Sequence, residues 1–187
     1  MKRLLLLSLL ALGLNAPVAA PALAQINLLE GSSMVKAVTS NDTTSLRMQL
    51  LKGENPNQVD ASGRPVLLLA IGHGNPELVR LLLDGGANPN RADKAGNTPL
   101  HYAVEADAPD AVDLLLAKGA KVNQDNRQGV TPLMTAARFG RADMVERLLK
   151  AGAKDDRSDF TGRTALSWAQ ESRNARVATL LRQAGVR

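Results

Sequence analysis

The sequence predicts an all-α protein, a solenoid of helix–turn–helix units stacked in series. Three observations predict it. The first is a fixed period of 33 residues. It is carried by Gly63, Gly96, Gly129 and Gly162, by Gly53, Gly86, Gly119, Gly152 and Gly185, and by Ala37, Ala70, Ala103, Ala136 and Ala169. Segments 94–126 and 127–159 share twelve residues in register without a gap, and self-similarity at such a period means stacked supersecondary units. The second is composition. Hydrophobic residues make up 44% and aromatics only 2%, so the core must come from Leu, Val and Ala. Small helices packed closely suit that supply better than a β-sandwich, whose strands favour rings and β-branched side chains. The third is local punctuation. Thr98 before Pro99 and Asn75 before Pro76 read as helix N-caps followed by a first-turn proline. Val79, Leu82 and Leu83 follow at i, i+3 and i+4 as an amphipathic stripe, which Gly86 ends.

The chain of 187 residues carries 23 basic and 18 acidic side chains, a net charge of +5. It opens with an address. Met1-Lys2-Arg3 is basic, Leu4 to Leu14 is apolar and uncharged, Pro17 and Pro21 break the run, and Ala22-Leu23-Ala24 offers small residues for cleavage. This three-part pattern predicts a secretory signal peptide over residues 1–24, with Gln25 as the new N-terminus. The apolar run is shorter than the roughly 20 residues a membrane span needs. Loss of Lys2 and Arg3 lowers the charge by two, to +3. A mildly basic exported chain is expected to meet a protein or an anionic envelope surface, not nucleic acid. The expected location is the bacterial periplasm, with passage beyond the outer membrane left open.

The units follow in order. Segment 28–60 keeps only Ala37, Gly53 and Asn55-Pro56-Asn57, and segment 61–93 has Pro65-Val66-Leu67 as its opening. Segment 94–126 carries Gly96-Asn97-Thr98-Pro99-Leu100-His101-Tyr102-Ala103, and segment 127–159 carries Gly129-Val130-Thr131-Pro132-Leu133 with Ala136-Ala137. Segment 160–187 stops early, after Gly185. The third and fourth openings, with Val112-Asp113-Leu114-Leu115-Leu116-Ala117-Lys118-Gly119-Ala120 after the third, resemble the ankyrin repeat. The resemblance covers about 28–187, nearly all of the chain after the leader, and implies five units joined by hairpin-like turns. A unit cannot bury its apolar face alone, so the two ends need polar outer sides. Lys36, Ser40, Asp42, Arg47 and Gln49 are expected to supply the first; Arg173, Asn174, Arg176, Thr179, Arg182 and Gln183 the last. Asn57, Asn90, Asn123 and Asp156 share the same spacing, and Asn90 to Gly96 is expected to form the extended turn to the next unit, where Asn and Gly hold tight backbone geometry.

The sequence offers no catalytic residue. Cys is absent, which removes thiolate nucleophiles, disulfides and Cys-ligated metals. His occurs only at His73 and His101, and the resemblance implies that His101 bonds backbone between adjacent turns. Asp155, Asp156 and Asp159 fall short of the ligand count of a Ca²⁺ site. No Gly-rich phosphate loop and no hydrolase signature is present. The chain is therefore expected to be non-catalytic, without cofactor or metal, and a monomer.

The resemblance further implies a concave binding face of turn tips and inner-helix positions. By register the tips fall at Arg64, Lys94, Asn97, Arg127, Val130, Phe160 and Arg163, and the helix positions at His73, Glu105, Arg138 and Phe139. Both Phe residues of the protein lie in this set, either as the centre of a binding surface or as packing residues, Phe139 between inner helices and Phe160 over the last turn, whereas Tyr102 and Trp168 precede the inner-helix Ala, where the core is expected. Arg127, Arg138 and Arg163 are expected to surround the two rings, and the basic tips suggest an acidic protein partner. The alternatives are an envelope component that holds anionic polymer or lipid head groups on those tips, and a secreted effector.

Overall fold

The structure, a computed structural model, describes residues 32–154 and 156–185. The leader expected over residues 1–24 lies outside the described residues, as does Asp155. Ten helices are found among the described residues: α1 (Ser33–Thr39), α2 (Thr43–Leu51), α3 (Val66–Gly72), α4 (Pro76–Asp84), α5 (Pro99–Glu105), α6 (Pro109–Ala117), α7 (Pro132–Arg138), α8 (Ala142–Lys150), α9 (Ala165–Glu171) and α10 (Ala175–Gln183). They form five antiparallel pairs, each a helix of 7 residues followed by one of 9. Even the first segment, which lacks the opening motif, keeps this unit. There Ser32 caps α1 by accepting from the Val35 N–H at 3.1 Å, and Asp42 caps α2 by accepting from Ser45 N at 2.9 Å. The odd-numbered helices stack in one row and the even-numbered ones in a second. None of the described helices is long and apolar enough to cross a membrane.

The core runs the length of the array because the same positions are buried in every unit. Ala37, Ala70, Ala103, Ala136 and Ala169 are buried on the inner row, and Leu82, Leu115, Leu148 and Leu181 on the outer one. Alanine has no side chain beyond Cβ, so the facing helix backbone can approach closely. Val79, Leu82 and Leu83 all point inward on α4, and Asn75 Oδ1 caps that helix by accepting from Glu77 N at 3.0 Å. The turns contain only isolated antiparallel bridges among the described residues, Val59 with Pro65 and Ser158 with Thr164.

Two sets of polar contacts join neighbouring units. Asn57, Asn90 and Asn123 do not fold their own turns. Each donates its amide to the carbonyl of Gly86, Gly119 or Gly152 of the next unit, at 3.1 Å in each case. Each also accepts an N–H of that unit, from Asn88, Lys121 or Lys154 at 2.7–2.8 Å. The turns are instead held by a second series: Asp60, Asp93, Asn126 and Asp159. The Oδ1 of each accepts the N–H groups two and four residues on, at 2.8–3.1 Å. Burial pushes the Asp60 and Asp159 carboxyls up, but hydrogen bonds from Ser62 and Arg64, and from Thr161 and Arg163, outweigh it and hold both at about 2. The polar ends also differ from expectation. Asn174 turns back to the Ala137 and Arg138 carbonyls at 3.1 and 3.3 Å, and so serves the unit before it instead of the outer side.

Glycine at the turn tips separates two requirements. Gly162 has φ +85° with nothing near its missing Cβ, whereas a Cβ on Gly129, at φ +78°, would fall 2.9 Å from the Phe160 nitrogen. Gly162→Ala is therefore expected to cost about 1 kcal/mol for the left-handed backbone alone. Gly129→Ala is expected to cost at least twice that, because the clashing atom is backbone and cannot swing away. Urea unfolding of the two variants side by side measures the difference.

Candidate partner-binding surface

The tips and inner-helix ends bring most of the expected binding residues to the surface. Arg64, His73, Lys94, Glu105, Arg127, Arg138, Phe139 and Phe160 are exposed. Phe160 is 76% exposed and Phe139 41%. Phe160 extends the last turn, donates its N–H to Gln128 O at 3.0 Å, and lays its ring over the Gly129 backbone. Phe139 stands at the C-terminal end of α7, where its N–H still closes the helix onto Thr135 O at 3.1 Å.

Three expected residues have structural work instead. Val130 is buried, and its carbonyl lies 2.9 Å from His101 Nε2. Asn97 is half-buried, its side-chain oxygen accepting from Asn126 Nδ2 at 2.8 Å. Arg163 is half-buried: Nε pairs with Asp159 Oδ2 at 3.3 Å, a terminal nitrogen with Glu171 at 3.3 Å, and the guanidinium stands 3.7 Å from the Trp168 ring centroid. The three arginines therefore do not surround the two Phe rings. Arg138 lies 5.6 Å from the Phe139 ring and 5.0 Å from the Trp168 ring. Arg163 closes on Trp168. Such contacts stabilise by about 0.5–1 kcal/mol at exposed sites. Trp168 itself is buried, and its Nε1 donates to Asp159 Oδ2 at 3.1 Å.

The basic row is thus interrupted. Arg64 Nε pairs with Asp60 Oδ2 at 3.1 Å and Arg163 with Asp159, so two of the four basic tips are neutralised inside their own turns. Lys94 and Arg127 form no ion pair among the described residues. Four spaced guanidinium and ammonium groups would have suited a polyanion. Only two of the four are left without an ion pair among the described residues.

His101 holds no chemistry available to a substrate. Its Nδ1 accepts the Thr98 N–H at 3.1 Å, which assigns the proton to Nε2, and that nitrogen donates to Val130 O. Burial pushes its pKa down, against the pull of the Val130 carbonyl and the charges of Asp93 and Asp125. Tyr102 O–H donates to Asp93 Oδ2 at 2.8 Å; burial and that bond push its pKa up to about 12. It stays protonated and fixes its turn.

The 7-plus-9 helix unit, the Thr-Pro caps and the His bridge between turns accord with a family model described as ankyrin repeats (3 copies), which matches residues 34–126 and 118–187. The chain belongs to the ankyrin-repeat family. Ankyrin repeats in general mediate protein–protein contacts, and the family is typically a non-catalytic scaffold. No curated protein matches the chain. Within the ankyrin array, the departure at Pro65 now has a reason. The imidazole of His101 exists to receive the Thr98 N–H. Proline at position 65 has no N–H, so Leu68, the counterpart of His101, is free to be apolar and is buried. In the fourth repeat the Met134 sulfur takes the same place, 3.5 Å from Thr131 N.

Proposed function

We propose that this ankyrin-repeat chain is an exported, non-catalytic scaffold that captures another protein on the face formed by its turn tips and inner helices. The observation that carries the reading is the exposure of both Phe residues on that face, with the guanidinium of Arg138, which has no carboxylate partner among the described residues, 5.6 Å from the Phe139 ring. A large exposed ring flanked by arginine is the composition of an interface hot spot. Arg127 and Arg138 would meet carboxylates of the partner, and charge of this kind mainly sets the rate of encounter. The leader pattern over residues 1–24 supports export, and the periplasm is the proposed site of action.

The test is cross-linking in intact cells followed by mass spectrometry, with the double variant Phe160→Ala, Arg138→Ala as control. Wild type is expected to retain a partner that the variant loses, while the unfolding free energy falls by no more than about 2 kcal/mol, the loss of the two cation–π contacts of Arg138 with Phe139 and Trp168. Unchanged capture would remove these residues from the interface, and a large fall in stability would assign them to packing. N-terminal sequencing of the exported protein should begin at Gln25. Capture that survives moderate salt separates a ring-centred protein complex from a polyanion, whose binding falls steeply with ionic strength.

A further inference from the structure

The helix-to-helix loops, at the opposite end of the repeats from the turn tips, are joined by one recurrent device that is missing once. The residue just before each outer helix reaches back to the preceding repeat. Asn75 Nδ2 donates to Asn41 Oδ1 at 2.7 Å. Arg141 donates to Asp107 Oδ2 at 3.2 Å and to Glu105 O at 3.3 Å. Asn174 donates to the Ala137 and Arg138 carbonyls. The fourth member of the series is Ala108, which has no side chain to reach with. The space shows the consequence. A Cβ on Gly140 would meet Asn174 Oδ1 at 2.6 Å, whereas one on Gly74, the corresponding glycine under Ala108, meets nothing within 4 Å. A notch of about 250 Å³ opens there between the second and third repeats. Its floor is Ile71 and Val79, its sides include Pro76 and Pro109, and its rim carries Asp107 and Asp110. Asp110 is exposed and has no ion pair among the described residues.

We propose that this notch is a second recognition site, which takes an arginine side chain presented by a basic segment of a partner protein. The array itself supplies the precedent. One junction along, the guanidinium of Arg141 fills the equivalent gap, with a backbone carbonyl and a carboxylate as its acceptors. At the notch, the Ile71 carbonyl stands in register with the Ala137 carbonyl that Asn174 uses, and Asp110 supplies an unpaired negative charge beside Asp107, which already pairs with Arg141. The aliphatic stem of an arginine suits the Ile71–Val79 floor, since such stems lie on apolar surface while the head group stays polar. Planar donors matched to carbonyl and carboxylate favour guanidinium over ammonium. Ala106 at its edge is the counterpart of Phe139 one repeat on, so the notch borders the inner-helix end of the ring-bearing face, but a titration read at Ile71 is independent of capture at the rings.

The chain contains two isoleucines, Ile26 and Ile71, which makes the test direct. The full chain, labelled with ¹³C at the isoleucine δ1 methyls and assigned with Ile26→Val, is titrated with acetyl-Gly-Arg-Gly-amide. Parallel titrations use the lysine peptide and the uncharged citrulline peptide. The Ile71 methyl is expected to shift saturably with the arginine peptide in the millimolar range, and at least threefold more weakly with the other two. Ala108→Asn should close the notch, abolish the shift and raise Tm. Asp110→Asn, a surface change that leaves the fold alone, should weaken the arginine response at least threefold. No saturable Ile71 shift, an equal response to citrulline or lysine, or a response that persists in Ala108→Asn or is unaltered in Asp110→Asn would each overturn the assignment.

Discussion

Replacing His101 by Leu is expected to lower the unfolding free energy by about 2 kcal/mol, although the two side chains are close in volume and the site is only 3% exposed. The loss comes from Thr98, whose N–H and Oγ1 both meet His101 Nδ1, at 3.1 and 2.8 Å. Thr98 N–H is buried and its acceptor is His101 Nδ1; a buried donor left without a partner costs about 1–3 kcal/mol. Val130 O suffers less, because it keeps the Asn126 N–H at 3.0 Å. The second repeat indicates the rescue. There Pro65 removes the donor and Leu68 needs no acceptor. The double variant Thr98→Pro, His101→Leu should recover most of the loss, since Thr98 already has φ −82° and ψ 165°, within reach of proline. Urea unfolding of the cycle measures the coupling. Additivity, with no recovery in the double variant, would show that the imidazole acts by packing.

The same geometry makes stability depend on pH. Protonation of Nδ1 destroys the acceptor, and burial holds the folded pKa of His101 below the ordinary 6.5. The unfolded chain therefore takes up the proton first as pH falls. Stability from this group is complete above pH 6.5, and drains away as pH drops from there towards the folded pKa. The other histidine, His73, is exposed. The slope of unfolding free energy between pH 7 and 5 should therefore flatten in His101→Leu. An unchanged slope would place the titrating group elsewhere.

Trp168→Ala is expected to have the largest effect of any single substitution in the last repeats, about 3–5 kcal/mol by analogy with other buried aromatic truncations. Trp168 is 9% exposed. Its ring underlies the guanidinium groups of Arg138 and Arg163, and its Nε1 helps to saturate Asp159, the residue on which the last turn folds. Removing it opens a cavity, takes one donor from a buried carboxylate and frees two cations together. Because each repeat touches only its neighbours, the damage should stay local. The α9–α10 pair should exchange its amide protons early and become sensitive to protease while α3 to α6 stay protected. A uniform loss of protection along the array would contradict nearest-neighbour coupling. Phe160→Ala offers the contrast, since its ring is mostly in solvent: small effect on stability, large effect on capture.

Much of this protein is written in its order of residues. The 33-residue period, the Thr98-Pro99 and Asn75-Pro76 starts and the buried Ala and Leu series are local or short-range features, governed by cap geometry and helical spacing, and they required the helix pairs of an ankyrin array. Register against the ankyrin repeat put Phe139 and Phe160 on one face, but whether their rings pack or stand in solvent was left to the fold, which exposes them at 41% and 76%. What the fold decided depends on atoms far apart in the chain. Asn90 reads as a turn former, yet it and its counterparts Asn57 and Asn123 join repeats, because the carbonyls they need come from the next unit about 29 residues on. Arg163 reads as a free cation, yet Asp159 and the Trp168 ring claim it. Ala108 reads as an unremarkable helix start, and only its place among Asn75, Arg141 and Asn174 in the stacked loops shows that a reaching side chain is missing. Period and capping are properties of a strand of residues. Pairing of charges and closure of gaps are properties of neighbours, and neighbours exist only once the repeats have stacked.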